Sequence, residues 1–218
     1  DALNLDAVDR AVDYARLAEK TVHEVHPRTS WQSDHTLRFR EMIEALATLP
    51  RSQLRHFVQA EREALLAMGM RDWQGMFAAQ QFRLGVLTEL LGERHLMTVA
   101  ELILAQGALI ESLQTNVAAT QLNRAEQLLQ QISVVPSPTS VGLDISKARL
   151  AELTGDEDLA ERLYQRDLDA LQKLGCVYDP QYSTVHNNYA VFLEEQGRYD
   201  EALRQYECAC ELMSEEAP

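Results

Sequence analysis

The residues best suited to hold a metal ion lie near the amino-terminal end of the chain, where His23, Glu24 and His26 are close together and His35 follows. Two imidazoles about one helical turn apart could bind a zinc ion. In zinc-dependent proteases two residues separate the glutamate from the second histidine, whereas here a single residue does. Pro27 also ends the helix directly after His26. We therefore expect surface histidines, with no metal or other cofactor.

Cysteine chemistry is equally limited, because Cys176, Cys208 and Cys210 cannot all pair with one another, and Cys208 and Cys210 point to different faces of a helix. We expect small buried side chains in a reducing, cytoplasmic compartment. The chain contains no glycine-rich phosphate loop, no G-x-S-x-G nucleophile elbow and no neighbouring Cys and His pair. The sequence therefore predicts no enzymatic activity, and a metal-dependent enzyme is a remote alternative.

The net charge of −14 is concentrated in the last third of the chain. Residues 151–218 carry 16 acidic and five basic side chains, a net charge of −11, whereas the first two thirds are nearly balanced. Such a surface repels nucleic-acid phosphates and favours a basic peptide or protein as partner. An acidic surface that only keeps the protein soluble is an equal alternative.

No apolar run approaches the length needed to cross a bilayer, and the start of the chain, Asp1-Ala2-Leu3-Asn4, lacks the features of a signal peptide. We therefore expect a soluble protein without a membrane partner. Because the chain does not start with Met, we also expect it to be part of a longer protein.

Apolar residues recur at helical spacing along almost the whole chain, as in Leu54, Phe57, Val58, Leu65 and Met68, and no segment alternates like a strand. Prolines, glycines and polar stretches separate one helical segment from the next. The pattern predicts an all-α fold of five antiparallel hairpins. Their helices are expected at residues 4–25 and 34–48, 51–68 and 72–91, 95–114 and 117–132, 140–154 and 157–174, and 183–196 and 199–213.

The last two hairpins repeat each other at an offset of 42 residues. The repeated pairs are Ala148 and Ala190, Glu152 and Glu194, Gly155 and Gly197, Asp158 and Asp200, Ala160 and Ala202, Arg162 and Arg204, and Tyr164 and Tyr206. Units with a fixed period cannot bury their apolar faces alone and stack on their neighbours. We expect Gly197 to end a helix, Asp200 to cap the next one, and the alanines to let helices approach closely.

The stretch from His186 to Tyr206 resembles a tetratricopeptide repeat. Its residues at the positions of the family pattern W-x2-L-G-x2-Y and A-x3-F are His186, Tyr189, Ala190, Leu193, Ala202 and Tyr206. The period exceeds the usual 34 residues by eight, which resembles the repeats of kinesin light chains. The resemblance covers residues 143–213 and decays upstream.

This resemblance implies a superhelical array of about five hairpins in three regions. Residues 1–50 would form a divergent repeat or a cap, residues 51–135 divergent helical repeats, and residues 136–218 repeats of the 42-residue type with an acidic end.

In similar proteins the first helix of each repeat lines a concave groove, where an asparagine commonly bonds the main chain of an extended ligand. Asn187 matches that asparagine, and an amide can donate and accept at once. Thr184, Val191 and Glu194 lie on the same helical face as Asn187. In the preceding unit, Arg149 and Glu152 occupy the positions equivalent to Val191 and Glu194. The candidate partner-binding residues are thus Asn187, Thr184, Val191, Glu194, Asn188, Arg149 and Glu152.

The resemblance therefore implies a scaffold or adaptor that binds a peptide or a segment of a partner protein, with a basic partner favoured. The alternative is a regulatory or sensor module of a larger protein that controls an attached or partner domain. Self-association is left open by the sequence.

Overall fold

The computed structural model describes residues 5–27, 30–132, 137–174 and 180–215, over which the chain forms ten α-helices and no strand. The helices are α1 (Leu5–Val25), α2 (Trp31–Ala47), α3 (Arg51–Gly69), α4 (Trp73–Leu91), α5 (Leu96–Glu111), α6 (Thr115–Ile132), α7 (Pro138–Thr154), α8 (Glu157–Leu174), α9 (Pro180–Glu195) and α10 (Tyr199–Glu215). The predicted all-α fold of helical hairpins is confirmed, and every helix boundary lies within three residues of its predicted position.

The glycines of the repeat end helices as predicted. Gly155, which follows α7, has a φ of 79°, and Gly197, between α9 and α10, has a φ of 73°. Glycine adopts this left-handed conformation without the steric cost that a Cβ atom imposes. The repeated glycines therefore fix the sharp turn within each of the last two hairpins.

The second helices of these hairpins begin in two different ways. At α8, Asp156 Oδ1 accepts a hydrogen bond of 3.1 Å from the backbone N–H of Leu159, which is an ordinary N-cap contact. The expected cap at Asp200 is wrong, because α10 begins at Tyr199 and Asp200 already lies in its first turn. Asp200 there interacts favourably with the positive end of the helix dipole.

The last three hairpins stack in the same way, since the first helix of each later hairpin contacts both helices of the hairpin before it. Helix α7 contacts α5 and α6, and α9 contacts α7 and α8. The first two hairpins attach differently, because α2 and α4 both contact α5 while α1 and α3 pack mainly on their own hairpin partners. The same pattern of helix contacts thus extends from α5 to α10, and the amino-terminal hairpins join it in another arrangement.

Polar contacts accompany this change of arrangement. The guanidinium of Arg83 in α4 donates to both carboxylate oxygens of Glu101 in α5, at 2.9 and 3.1 Å, and lies 4.4 Å from the ring centre of Phe57 in α3. His95 Nε2, at the start of α5, lies 3.0 Å from Glu41 Oε2 in α2. These pairs join α2 and α4 to α5, and α3 to α4.

The core of the last two hairpins combines small and aromatic side chains. Ala148 and Ala190, on α7 and α9, are fully buried. Beside them the rings of Tyr164, Tyr189 and Phe192 pack with centroids 5.6 to 6.3 Å apart. The burial of these alanines is consistent with the prediction that they let the helices approach closely.

The cysteines of α10 differ from the expectation of buried side chains. Cys208 is half-buried and Cys210 is exposed, and both are free thiols. Their separation by two positions on one helix explains the difference in exposure. Cys176 lies outside the described residues.

A buried acidic pair lies inside the fourth hairpin. Asp144 of α7 receives a hydrogen bond of 2.8 Å from Arg166 Nε, whereas Asp167 of α8 is 1% exposed and its Oδ2 atom has no hydrogen-bond partner. Burial and the neighbouring Asp144 carboxylate raise the pKa of Asp167 to about 9. Asp167 therefore keeps its proton in the folded protein at neutral pH.

This proton makes stability depend on pH. The folded protein holds it up to about pH 9, whereas an unfolded aspartate loses it near pH 4, so the folded state binds more protons in this range and stability falls as pH rises. Asp167→Asn keeps a neutral side chain of similar shape and should make the decrease between pH 5 and pH 9 smaller by about 1 kcal/mol or more. Urea denaturation of the wild type and of Asp167→Asn at pH 5 and at pH 9 measures the decrease in the free energy of unfolding for each protein. Equal decreases in the two proteins would contradict the assignment.

Gly197→Val should lower the free energy of unfolding by about 1–2 kcal/mol, because a β-branched residue is strained in the left-handed conformation. A Cβ atom at Gly197 would meet no atom within 4 Å, so the cost is strain rather than a clash. Gly142→Ala is the control, since Gly142 is equally open but lies inside α7, where alanine should stabilise by about 0.5–1 kcal/mol. Thermal unfolding followed by circular dichroism compares the variants. A Gly197→Val protein as stable as wild type would disprove the strain.

Ala202→Leu tests the close contact in the last hairpin. Ala202 is 3% exposed within the core, so the added atoms should overfill it and cost about 1–3 kcal/mol. The exposed Leu203 provides a matched position, where Leu203→Ala should change stability by no more than about 0.5 kcal/mol. If both variants unfold at the same urea concentration, the packing of α9 on α10 is not as tight as described.

Candidate functional site

A cavity of about 440 Å³ lies between the first helices of the last three hairpins and the turn that joins α3 to α4. Its lining residues come from α5, α7, α8 and α9 and from the end of α3 and the beginning of α4. Its volume falls within the range of roughly 300–1,000 Å³ that is common for ligand pockets. The stacking of the hairpins thus creates a concave site that no single hairpin contains.

The lining that comes from the adjoining ends of α3 and α4 is apolar. It consists of Met68, Trp73 and Met76, and α5 and α9 add Ile110 and Val191 to the same cavity. Methionine side chains are flexible and adapt to differently shaped ligands. This part of the cavity is suited to bury an apolar group.

Gly107 of α5 keeps one side of the cavity open. A Cβ atom at this position would lie 3.8 Å from Met76 Cε, an ordinary van der Waals distance. A larger side chain would extend from there into the cavity. A glycine inside a helix makes that helix less stable than an alanine would, so the space at Gly107 lowers the stability of α5.

The charged part of the cavity centres on Arg149 of α7. Its Nη1 donates to Glu152 Oε2 at 2.7 Å and its Nε donates to Glu111 Oε1 at 3.3 Å. Burial opposes the charged form of Arg149, but the hydrogen bond and the charge of Glu152 outweigh it and raise the pKa of the guanidinium. Arg149 therefore stays charged, and its charge is balanced by two carboxylates.

Glu152 also accepts a hydrogen bond of 2.7 Å from the hydroxyl of Tyr164 in α8. The same contact recurs 42 residues later, where Tyr206 donates to Glu194 at 2.8 Å. Burial and the adjacent Glu152 raise the pKa of Tyr164, which therefore remains a donor. These two bonds give Glu152 and Glu194 a structural role, since each connects the first helix of a hairpin to the second.

The predicted site residues divide into two groups. Arg149, Glu152, Asn188 and Val191 line the cavity and are brought together there. Asn187, Thr184 and Glu194 lie on exposed positions of α9 and are not among its lining residues. The face of α9 that borders the cavity runs through Asn188, Val191 and Glu195, one position along from the predicted face.

Several lining residues were not among the sequence candidates. They are Met68, Trp73, Met76, Gly107, Ile110, Glu111, Ile145, Ser146, Tyr164 and Glu195. The spacing of Ile145 and Ser146 relative to Arg149 and Glu152, on one face of α7, was a usable signal for that helix. No sequence signal pointed to Met68, Trp73 and Met76, because only the stacking of distant hairpins brings them into one cavity with residues of α9.

Within the described part of the chain, no group of three or more histidine, cysteine, aspartate or glutamate side chains is arranged to hold a metal ion. His23 Nδ1 lies 3.9 Å from Glu19 Oε1 on the same helix. No helix among the described residues combines the length and hydrophobicity needed to span a bilayer.

The family model of the tetratricopeptide repeat matches residues 143–215, which include most of α7 and all of α8 to α10. The match covers a third of the chain. No curated protein matches the chain. The last two hairpins are thus similar to tetratricopeptide repeats, and the described chain is an all-α, tetratricopeptide-like array of helical hairpins.

Proposed function

We propose that this protein is a scaffold or adaptor that holds an extended peptide, or such a segment of a partner protein, in the cavity between α4, α5, α7 and α9. The observation that carries the proposal is the cavity itself, in which apolar side chains face polar and charged ones across a concave surface. Tetratricopeptide repeats are in general protein–protein interaction modules, which supports the same conclusion.

Two neighbouring amides on α9 are candidates to bind the main chain of the segment. Asn188 lines the cavity, and Asn187 lies on the exposed face beside it. A segment held inside the cavity would use Asn188, whereas one lying along the outer face would use Asn187, Thr184 and Glu194. We retain both, because an amide on either face can donate to a carbonyl and accept from an N–H.

The charge of the carboxyl-terminal third favours a basic segment. Residues 151–218, with their net charge of −11, include α8, α9 and α10. The field of such a surface attracts cationic partners and speeds their association.

The 42-residue period suggests repeats of the kinesin light chain-like type. The free cysteines of α10 fit a reducing, cytoplasmic location.

A second candidate function is a regulatory module that contacts an attached or partner domain. It is favoured by apolar side chains exposed on the amino-terminal hairpins, among them Tyr14 and Leu17 on α1 and Leu65 and Leu66 on α3, each at least 58% exposed. Exposed apolar patches often mark interaction sites. A domain that covers them would use this surface, separate from the cavity.

Substitution of the two amides tests the binding mode. A partner segment identified by pull-down and mass spectrometry should bind Asn188→Ala more weakly by about 1–3 kcal/mol if it lies in the cavity, because main-chain hydrogen bonds are lost. The same loss with Asn187→Ala would place it on the exposed face of α9. For a basic segment, affinity should also fall as salt rises to physiological ionic strength. Isothermal titration calorimetry measures both effects.

Two substitutions of Gly107 test whether the segment lies inside the cavity. Gly107→Ala fits the available space and should leave binding unchanged, whereas Gly107→Leu extends into the cavity and should block it. If Gly107→Leu and both asparagine variants bind the segment like wild type, without salt dependence, the cavity and the adjoining face of α9 are not the binding surface.

A further inference from the structure

We propose that the cavity selects a segment in which a bulky apolar side chain stands next to a lysine or arginine. This inference rests on the proposed function and specifies the chemistry of the partner. It follows from two features of the cavity, an apolar wall and an excess of carboxylates.

The apolar wall favours an anchoring side chain. Met68, at the end of α3, and Trp73 and Met76, in the first turn of α4, line the same cavity as Val191 of α9. Trp73 is only half-buried, so an inserted group would remove more of its ring from water. When an apolar side chain of the segment contacts this wall, apolar surface of both partners is buried. This burial is the main favourable contribution of the cavity to the free energy of binding.

The carboxylates favour a cationic neighbour. Among the described lining residues, Glu111, Glu152 and Glu195 oppose the single guanidinium of Arg149, which leaves a net charge of −2. Arg149 is already shared by Glu111 and Glu152. Glu195, by contrast, makes no ion pair with any residue in the described part of the chain. An ammonium or guanidinium group beside the apolar anchor can therefore pair with Glu195 without displacing Arg149.

An acidic segment fits this cavity poorly. It would meet three carboxylates, while the guanidinium able to receive it is already engaged by two of them. Like charges at close range cost free energy, and the acidic surface of the surrounding helices adds to the repulsion. The same charges that attract a basic partner thus exclude an acidic one.

Trp73 provides a direct reporter for this inference. The chain has two tryptophans, Trp31 at the start of α2 and Trp73 in the wall of the cavity. Trp31→Phe leaves Trp73 as the single tryptophan, so its fluorescence reports whether a bound peptide contacts this wall.

The experiment begins with a phage library of random dodecapeptides selected on the immobilised protein. We expect enriched sequences with a Trp, Phe, Leu or Met beside Lys or Arg. A synthetic peptide of the most enriched sequence should change the Trp73 fluorescence of the Trp31→Phe protein. It should bind Glu195→Gln about two- to fivefold more weakly and Met76→Gln about fivefold more weakly or worse.

Two matched controls use residues of the same types that do not line the cavity. Glu207 on α10 is exposed, and Met70 after α3 is 72% exposed, so Glu207→Gln and Met70→Gln should bind the peptide like wild type. Circular dichroism of each variant shows whether the helices are retained.

The outcomes separate this inference from the function on which it rests. Enriched peptides that are acidic or lack an apolar anchor would overturn the inference. So would peptides whose binding is unaffected by Glu195→Gln and Met76→Gln but is weakened by Asn188→Ala or Gly107→Leu, and in that case the proposed function stands. If no peptide is enriched above a surface without protein, the proposed function fails together with the inference.

Discussion

The structure depends on the packing of each hairpin on the next, which buries apolar surface that a single hairpin would leave exposed. In the last two hairpins this core contains the fully buried Ala148 and Ala190 together with the packed rings of Tyr164, Tyr189 and Phe192. Because α5, α7 and α9 are held in one row by such contacts, their polar residues come to face a common space. The candidate binding cavity is therefore a consequence of the packing that stabilises the array.

The charged groups of the cavity stabilise the fold, and we propose that they also recognise the partner. Glu152 accepts hydrogen bonds from the hydroxyl of Tyr164 in α8 and from the guanidinium of Arg149 in its own helix. These two bonds hold the carboxylate in place before any ligand binds. A fixed carboxylate loses little conformational freedom on binding. Glu195 lacks such contacts with described residues and is the more adaptable of the two.

Much of the fold could be predicted from the sequence, because hydrophobic periodicity, proline and glycine act locally. The positive φ of Gly197 followed from its place between two helical segments, whereas Asp200 lies two positions past the N-cap position, Arg198, and so is already inside α10. The site was harder to predict. On α9 a shift of one residue, about 100° around the helix, decides whether Asn187 or Asn188 faces the cavity. Trp73 could not be placed at all, since its position in one cavity with residues of α9 depends on the angles at three successive hairpin contacts.

The cavity is lined by residues of α4 and α9, which are joined through α5 and α7. The distance between α4 and α9 is therefore set by the sum of the angles at the intervening helix contacts. A substitution that alters the packing at any of these contacts would widen or narrow the opening, even where the substituted residue does not line the cavity. The width of the cavity thus belongs to the whole stack and to no single hairpin.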